Sequence, residues 1–394
     1  MRFVFFKGQS GYDAFSHFCD QLANALIATG AIVHKVDLAD PHFQLDWSHL
    51  FDQGIDVCLG FNATALDITT SGINLYDGAG LPFIGLLVDH PLHLQRRLQT
   101  PMANLIVGTV DHAHGYSLNR ICGLYRPHFH FPLAATLDTH EKIYLPWNSQ
   151  DRDIFCLCPF SLEDLSSLTY GNLSTAEMSL MDNLEKGLLT SACLSFDELF
   201  IELCQSTKGL SFSHTPSLLY RKLLPSLAIL DRKLRAKERL SLVQTLAEKG
   251  VRPHVLGRGW DQIQLPSSIT YLGECSFNEQ LELFKRSACV MHCAPVTFDS
   301  PTHDRLLNAS LRGALVIHNC AKSKIPLLPY LNEFRYDRFS ALQAHEKLLL
   351  AHKNPTNTQK LIEQTQKEIL SKHLWKHRAQ SLLTELESLI PSLA

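Results

Sequence analysis

No run in this sequence approaches the roughly 18 apolar residues a membrane-spanning helix requires, so no transmembrane segment is expected. The opening MRFVFFKG is too short an apolar run for a secretory leader and reads as a first strand. An excess of one charge is also missing. The chain has 36 Lys and Arg against 39 Asp and Glu, a net −3, which gives no bulk attraction to nucleic acid or to an anionic membrane surface. Metal-ligand spacing is lacking too. Despite 20 His, there is no H-E-x-x-H and no Cys/His zinc pattern, so pairs such as His112/His114 and His128/His130 read as scattered histidines. The 11 Cys are odd in number and follow no export signal, which predicts reduced thiols and a cytoplasmic protein. Cys156 and Cys158 alternate along a strand and face one way, as small buried hydrophobes.

What is present is a 45% hydrophobic chain of 394 residues, long enough for two domains. Apolar runs at 2–6, 31–38, 55–61, 81–88 and 104–110 alternate with helix-length segments, one of them at about 13–28. This pattern predicts an α/β protein with a doubly wound parallel sheet. A strand at 152–160 begins a second half. Residues 161–230 then read as a helical segment, and a long helix is expected from about 231 to the C-cap Gly250. Strands at 252–257, 269–273, 288–295 and 314–319 restore the alternation. The domains read as 1–150 and 151–372, followed by a terminal helix at 373–394 that can pack back on the first.

The stretch PTHDRLLNASLRGALVIHN, 301–319, gathers the candidate site. Ser300 and Pro301 suit the N-cap and first position of a helix that Gly313 ends. His303, Asp304 and Arg305 would then stand at its positive end after a parallel strand, where open sheets take ligands and backbone N–H groups favour phosphate. Asn308, one turn on, can donate and accept as sugar hydroxyls require. The same residues also describe a charged helix cap with an internal Asp–Arg pair. In HVLGRGW, Gly257 and Gly259 directly follow a strand, where the backbone turns tightly or approaches a ligand.

Four pieces in this order carry a resemblance: D-x-x-x-R-A-x-x-R-x-x-L at 231–242, H-V-x-G-x-G-W at 254–260, Y-L-G at 271–273 and H-D-R-x-x-N-A-x-x-x-G-A at 303–314. They resemble the C-terminal domain of GT-B glycosyltransferases, and most of all the spore-coat maturation glycosyltransferase-like branch related to family 4. P-x-I-x-x-L-V-D-H-P at 82–91 and R-P-H at 126–128 resemble the N-terminal half more loosely. The resemblance implies two Rossmann-like domains facing a cleft. A nucleotide sugar would be held as substrate by the second domain and a glycan, lipid-linked or protein acceptor by the first. It places Gly257, Arg258, Gly259, Trp260 and Gly273 around the donor, with His303, Asp304 and Arg305 at the sugar or diphosphate and Asn308 at the ribose. Many family 4 members carry two glutamates eight residues apart where this chain has Ser300 and Asn308. Neither their donor geometry nor retention of anomeric configuration is therefore carried over.

Glycosyl transfer needs a stabilised leaving diphosphate, which cations and helix N-termini can supply; with no D-x-D-like signal around the donor motifs, metal independence and no cofactor are expected. An inverting reaction would need a base on the acceptor side. Asp89 and His90, on the loop after a strand, are the candidates, with His128 a further one; Gly8 and Gly11 would allow close approach after the first strand. The competing functions are a degenerate module that binds nucleotide or a partner without catalysis, and a nucleotide-sugar epimerase. A homodimer and peripheral membrane contact stay open.

Overall fold

Continuous apolar strands are what a parallel sheet demands when helices cover both of its faces. Val57–Phe61, Phe83–Leu87 and Leu105–Thr109 accordingly bury every residue. The computed structural model describes residues 1–8, 11–40, 47–121, 123–137, 145–190, 195–209, 216–299, 303–320 and 328–390. The chain divides into two units, Met1–Thr136 with His373–Ala394, and Leu137–Lys372.

In the first unit, β1 (Arg2–Lys7), β2 (Ile32–Asp37) and β3 (Val57–Phe61) precede a small hairpin of β4 (Thr69–Thr70) and β5 (Ile73–Asn74). β6 (Phe83–Leu87), β7 (Leu105–Thr109) and β8 (His128–His130) follow. The sheet order is β2-β1-β3-β6-β7-β8, all parallel. The helix Ala14–Ile27 buries Phe18, Leu22 and Leu26. The last helix, Trp375–Leu389, packs on it, with Trp375 5.6 Å from Phe18.

The second unit holds β9 (Ile154–Pro159), β10 (Pro253–Leu256), β11 (Thr270–Tyr271), β12 (Ser287–His292) and β13 (Leu315–His318), in the parallel order β11-β10-β9-β12-β13. Cys156, Cys158 and Cys289 are buried here, Cys156 and Cys289 in register on neighbouring strands. The sequence reading divides the chain at 150, but this unit begins at Leu137. Its early segment is held there by buried Trp147, whose backbone N–H donates to Gln359 Oε1 at 3.2 Å.

The segment 161–230 is helical as expected, with helices Thr175–Thr190 and Phe196–Ser206. The long helix, however, spans Pro216–Glu248 and carries Pro225 inside it, where the sequence suggests a start near 231. An internal proline costs a helix about 3 kcal/mol. Burial of Leu219, Tyr220, Leu223, Leu227 and Leu230 around it offsets that cost.

Each sheet has one point where the strand order reverses: between β1 and β3 in the first, between β9 and β12 in the second. Open parallel sheets bind ligands outside the carboxyl ends of the strands at that point.

Candidate functional site

At the second switch point, β12 ends on His292 and the chain returns to the sheet edge in the helix Asp304–Leu311. This helix starts later than the sequence suggests: His303, not Ser300, is its N-cap residue, and it makes no side-chain cap hydrogen bond. Ser300 and Pro301 lie outside the described residues. His303 turns Nδ1 inward, 2.7 Å from Asp304 Oδ1, and makes no other polar contact among the described residues. Burial pushes the Asp304 carboxyl up, but the neighbouring His303 and Arg305 charges overcome this and hold it below its ordinary value. Arg305 is half-buried, and its side chain makes no hydrogen bond or ion pair among the described residues. The expected Asp304–Arg305 ion pair is thus absent; Asp304 pairs with its imidazole neighbour.

A second guanidinium faces the same place from the long helix. Arg239 is buried over the Phe160 ring, 5.4 Å from its centroid, and donates to the Ser161 carbonyl at 2.8 Å. Burial, then the charges of Arg235 and Arg305, push it down to about 9. Arg235, one turn before it, pairs with buried Asp231. Arg235, Arg239 and Arg305 therefore lie near enough for their charges to oppose one another, with the Asp231 and Asp304 carboxylates among them. Such a concentration of positive charge suits an anion with several oxygens, above all a diphosphate.

The other donor candidates divide by what they touch. A Cβ on Gly259, at φ 87°, would stand 1.9 Å from the Leu162 carbonyl oxygen. One on Gly257, at φ 115°, would stand 2.9 Å from the Ser161 backbone nitrogen. These glycines therefore let the turn after β10 lie against the turn after β9. Gly273 locks the same turn, its carbonyl accepting the Gly257 N–H at 2.9 Å. Arg258 is exposed and ion-paired with Glu274. Two expectations need correction. Trp260 is fully buried with its indole N–H on the Phe160 carbonyl, so it anchors the turn and offers no face to a donor. Asn308 is fully buried too; its Nδ2 donates to the Asp304 carbonyl and its Oδ1 accepts from Arg312, so it braces the helix and is closed to a ribose.

In the first unit, Asp89 follows β6. Its Oδ2 accepts from Asn62 Nδ2 at 2.8 Å, while the Val88 and Asp89 N–H groups donate to Asn62 Oδ1. Its other carboxylate oxygen has no hydrogen bond among the described residues, as a base requires. Asn62, at the end of β3, holds a left-handed φ of 50°, and Ala63 and Ala65 are left-handed as well. After Gly11, Tyr12 and Asp13 are again left-handed, at 62° and 57°. Non-glycine residues in this region cost energy, and such strain gathers at functional sites. A Cβ on Gly8 would stand 3.0 Å from the Thr64 methyl, so the turn after β1 lies against the turn after β3. His90 is a correction. It is buried, its Nδ1 accepts the Leu92 N–H at 3.1 Å to cap the helix Pro91–Leu98, and its Nε2 meets Ser117 Oγ at 3.0 Å, so both nitrogens are already engaged. His128 is exposed at the end of the sheet edge and bonded to Asn119.

A family model described as glycosyl transferase-like matches residues 235–384. The chain also superposes on "T4 phage BGT in complex with its UDP-glucose substrate", with a TM-score of 0.54, 7% identity and 99% of each chain covered. An "alpha-glucosyltransferase in complex with UDP and a 13-mer DNA containing a central A:G mismatch" gives 0.51 at 11% identity, over 98% of this chain and 99% of that one. No curated protein sequence matches the chain. The chain carries a glycosyl transferase-like domain on a GT-B fold. This bears out the expected fold class and, at this level, the expected enzyme class, a glycosyltransferase. Among the described residues of this glycosyltransferase, no helix is long and apolar enough to cross a membrane.

Sequence reasoning missed several residues that build the glycosyltransferase's two sheet-edge clusters. Arg235 and Arg239 lie inside the D-x-x-x-R-A-x-x-R stretch, and their spacing of four puts them on one helix face, a signal that was available. Asn62 reads only as the head of an N-x-T triplet, and nothing local pairs it with Asp89, 27 residues on.

Proposed function

We propose that this glycosyltransferase moves a sugar from a nucleotide-sugar donor to an acceptor hydroxyl, with the donor diphosphate bound at the second unit's switch point. The observation that carries this reading is Arg305, whose side chain has no hydrogen bond or ion pair among the described residues, near buried Arg239 at the start of the helix Asp304–Leu311. The guanidinium groups and the helix N-terminus would meet the charge that develops on the leaving diphosphate. His303, paired through Nδ1 with Asp304, can turn Nε2 toward a leaving oxygen and, with both ring nitrogens protonated, donate Nε2–H to it. On the first unit, Asp89, held by Asn62, would take the acceptor proton. The "UDP-glucose substrate" of the T4 phage structure supports a uridine diphosphate hexose as the first donor to try. The reading extends to metal independence, a cytoplasmic location, the spore-coat maturation glycosyltransferase-like branch and a glycan, lipid-linked or protein acceptor.

Calorimetric titration of the full chain with nucleoside diphosphates and nucleotide sugars, in EDTA, tests it. Saturable binding that is lost in Arg305→Ala supports the site. Absence of binding to every member of the panel refutes the donor assignment and favours a module without transferase activity.

A further inference from the structure

His292 is the last residue of β12, one of the two strands that border the switch point, and is 2% exposed. Buried polar groups are almost always hydrogen-bonded, because an unmade bond costs about 1–3 kcal/mol. Yet Nε2 of His292 is buried without a hydrogen-bond partner among the described residues. The ring lies 5.1 Å from that of His303, tilted by 53°. Its strand neighbour His318 is equally buried and its Nδ1 is also without a partner among the described residues, but its Nε2 contacts the Leu331 carbonyl at 3.1 Å. An unsatisfied side chain at the floor of a cationic cluster is stability given up at a site where a ligand would complete it.

The surroundings say which part of a ligand that is. Burial, then the charges of His303 and Arg305, hold the His292 imidazole well below its ordinary value, so it is neutral at pH 7. Phosphate oxygens have Arg305, Arg239 and the helix N-terminus to pair with. A neutral imidazole offers one donor and one acceptor, which matches a hydroxyl group.

We propose that His292 reads a hydroxyl of the transferred sugar and so sets the donor-sugar preference of this glycosyltransferase. The proposal rests on the donor site described above. It separates two functions within one cluster: the arginines hold the diphosphate, and His292 distinguishes what is attached to it. A site built to hydrogen-bond a hydroxyl discriminates strongly against an analogue that lacks it.

The experiment compares wild type, His292→Leu and His292→Gln as full-length chains. Each is titrated calorimetrically with nucleoside diphosphates and their hexose conjugates, UDP and UDP-glucose first, and melted without ligand. For His292→Leu, affinity for the nucleotide sugar should fall about tenfold while affinity for the nucleoside diphosphate stays the same. The unliganded Tm should hold or rise, because the unsatisfied Nε2 is gone. Gln, which also donates and accepts, should recover part of the lost affinity. Equal losses for both ligands, unchanged affinity for the sugar conjugate, or a lowered Tm would overturn the proposal and make His292 a packing or phosphate residue. Wild-type protein that binds no nucleotide of the panel would instead overturn the donor site itself, and this assignment with it.

Discussion

Replacing Arg305 by alanine should weaken diphosphate binding and leave the stability of the fold nearly unchanged. The stability half follows from the side chain's surroundings: the Arg305 guanidinium makes no hydrogen bond among the described residues, its charge opposes that of Arg239, and it favours the Asp304 carboxylate. Removing it deletes one repulsion and one attraction and breaks no side-chain hydrogen bond, so Tm should change little. The binding half follows from charge. At about 4 Å and an effective dielectric near 20, a unit pair gains roughly 4 kcal/mol before desolvation. Net values for hydrogen bonds to charged groups are about 1.5–3 kcal/mol. A loss of that size raises Kd roughly 10- to 150-fold. Arg305→Lys keeps the charge but loses the planar fork, and should fall between. Titration calorimetry at two salt concentrations is the assay, since the half-buried guanidinium is only partly screened at a Debye length of about 8 Å. A Kd within twofold of wild type, or a Tm lowered by several degrees, would refute the reasoning: the first removes Arg305 from the ligand, the second gives it a structural partner.

Asp89→Asn should leave nucleotide binding intact and slow transfer about 10²- to 10⁴-fold, read as kcat with a fixed acceptor; near-normal turnover would move the base elsewhere. Arg152→Met tests an element far from the chemistry. This buried guanidinium donates to the carbonyls of Leu145, Pro146, Phe284, Lys285, Ser287 and Arg312, tying together the ends of two helices. Its loss should cost about 3 kcal/mol or more, seen as a Tm drop of roughly 6–12 °C by calorimetry. Acid should destabilise the protein through three histidines. Burial above all lowers His130 and His318 to about 4, and His292 well below its ordinary 6.5. Below about pH 6.5 the unfolded chain takes up protons that the folded chain refuses. Stability is therefore full above that value and declines by about 1.4 kcal/mol per pH unit for each histidine as pH falls toward the folded values. Melting curves between pH 7.5 and 4.5 should show this, and His318→Leu should flatten the slope.

The sequence by itself settled those features that depend on local chemistry. Apolar β-branched runs separated by helix-length segments could form little but parallel sheets, and the H-D-R and G-R-G stretches fell where open sheets bind ligands. Gly313, at φ 76°, ends its helix as the pattern required. Positions decided by partners distant along the chain were not legible. The helix was expected to begin at Pro301 and is described from Asp304; the long helix was expected to begin after Pro225 and runs through it, because buried leucines on several elements outweigh a local penalty. Trp260 and Asn308 have the chemistry of ligand contacts, but neighbouring backbone and Arg312 claim it first. Conversely, Arg239 became part of the site only because the long helix returns beside the turns after β9 and β12. Residue type determined what each group can do; burial and the identity of its neighbours, which exist only in the folded chain, determined which groups remain free to do it.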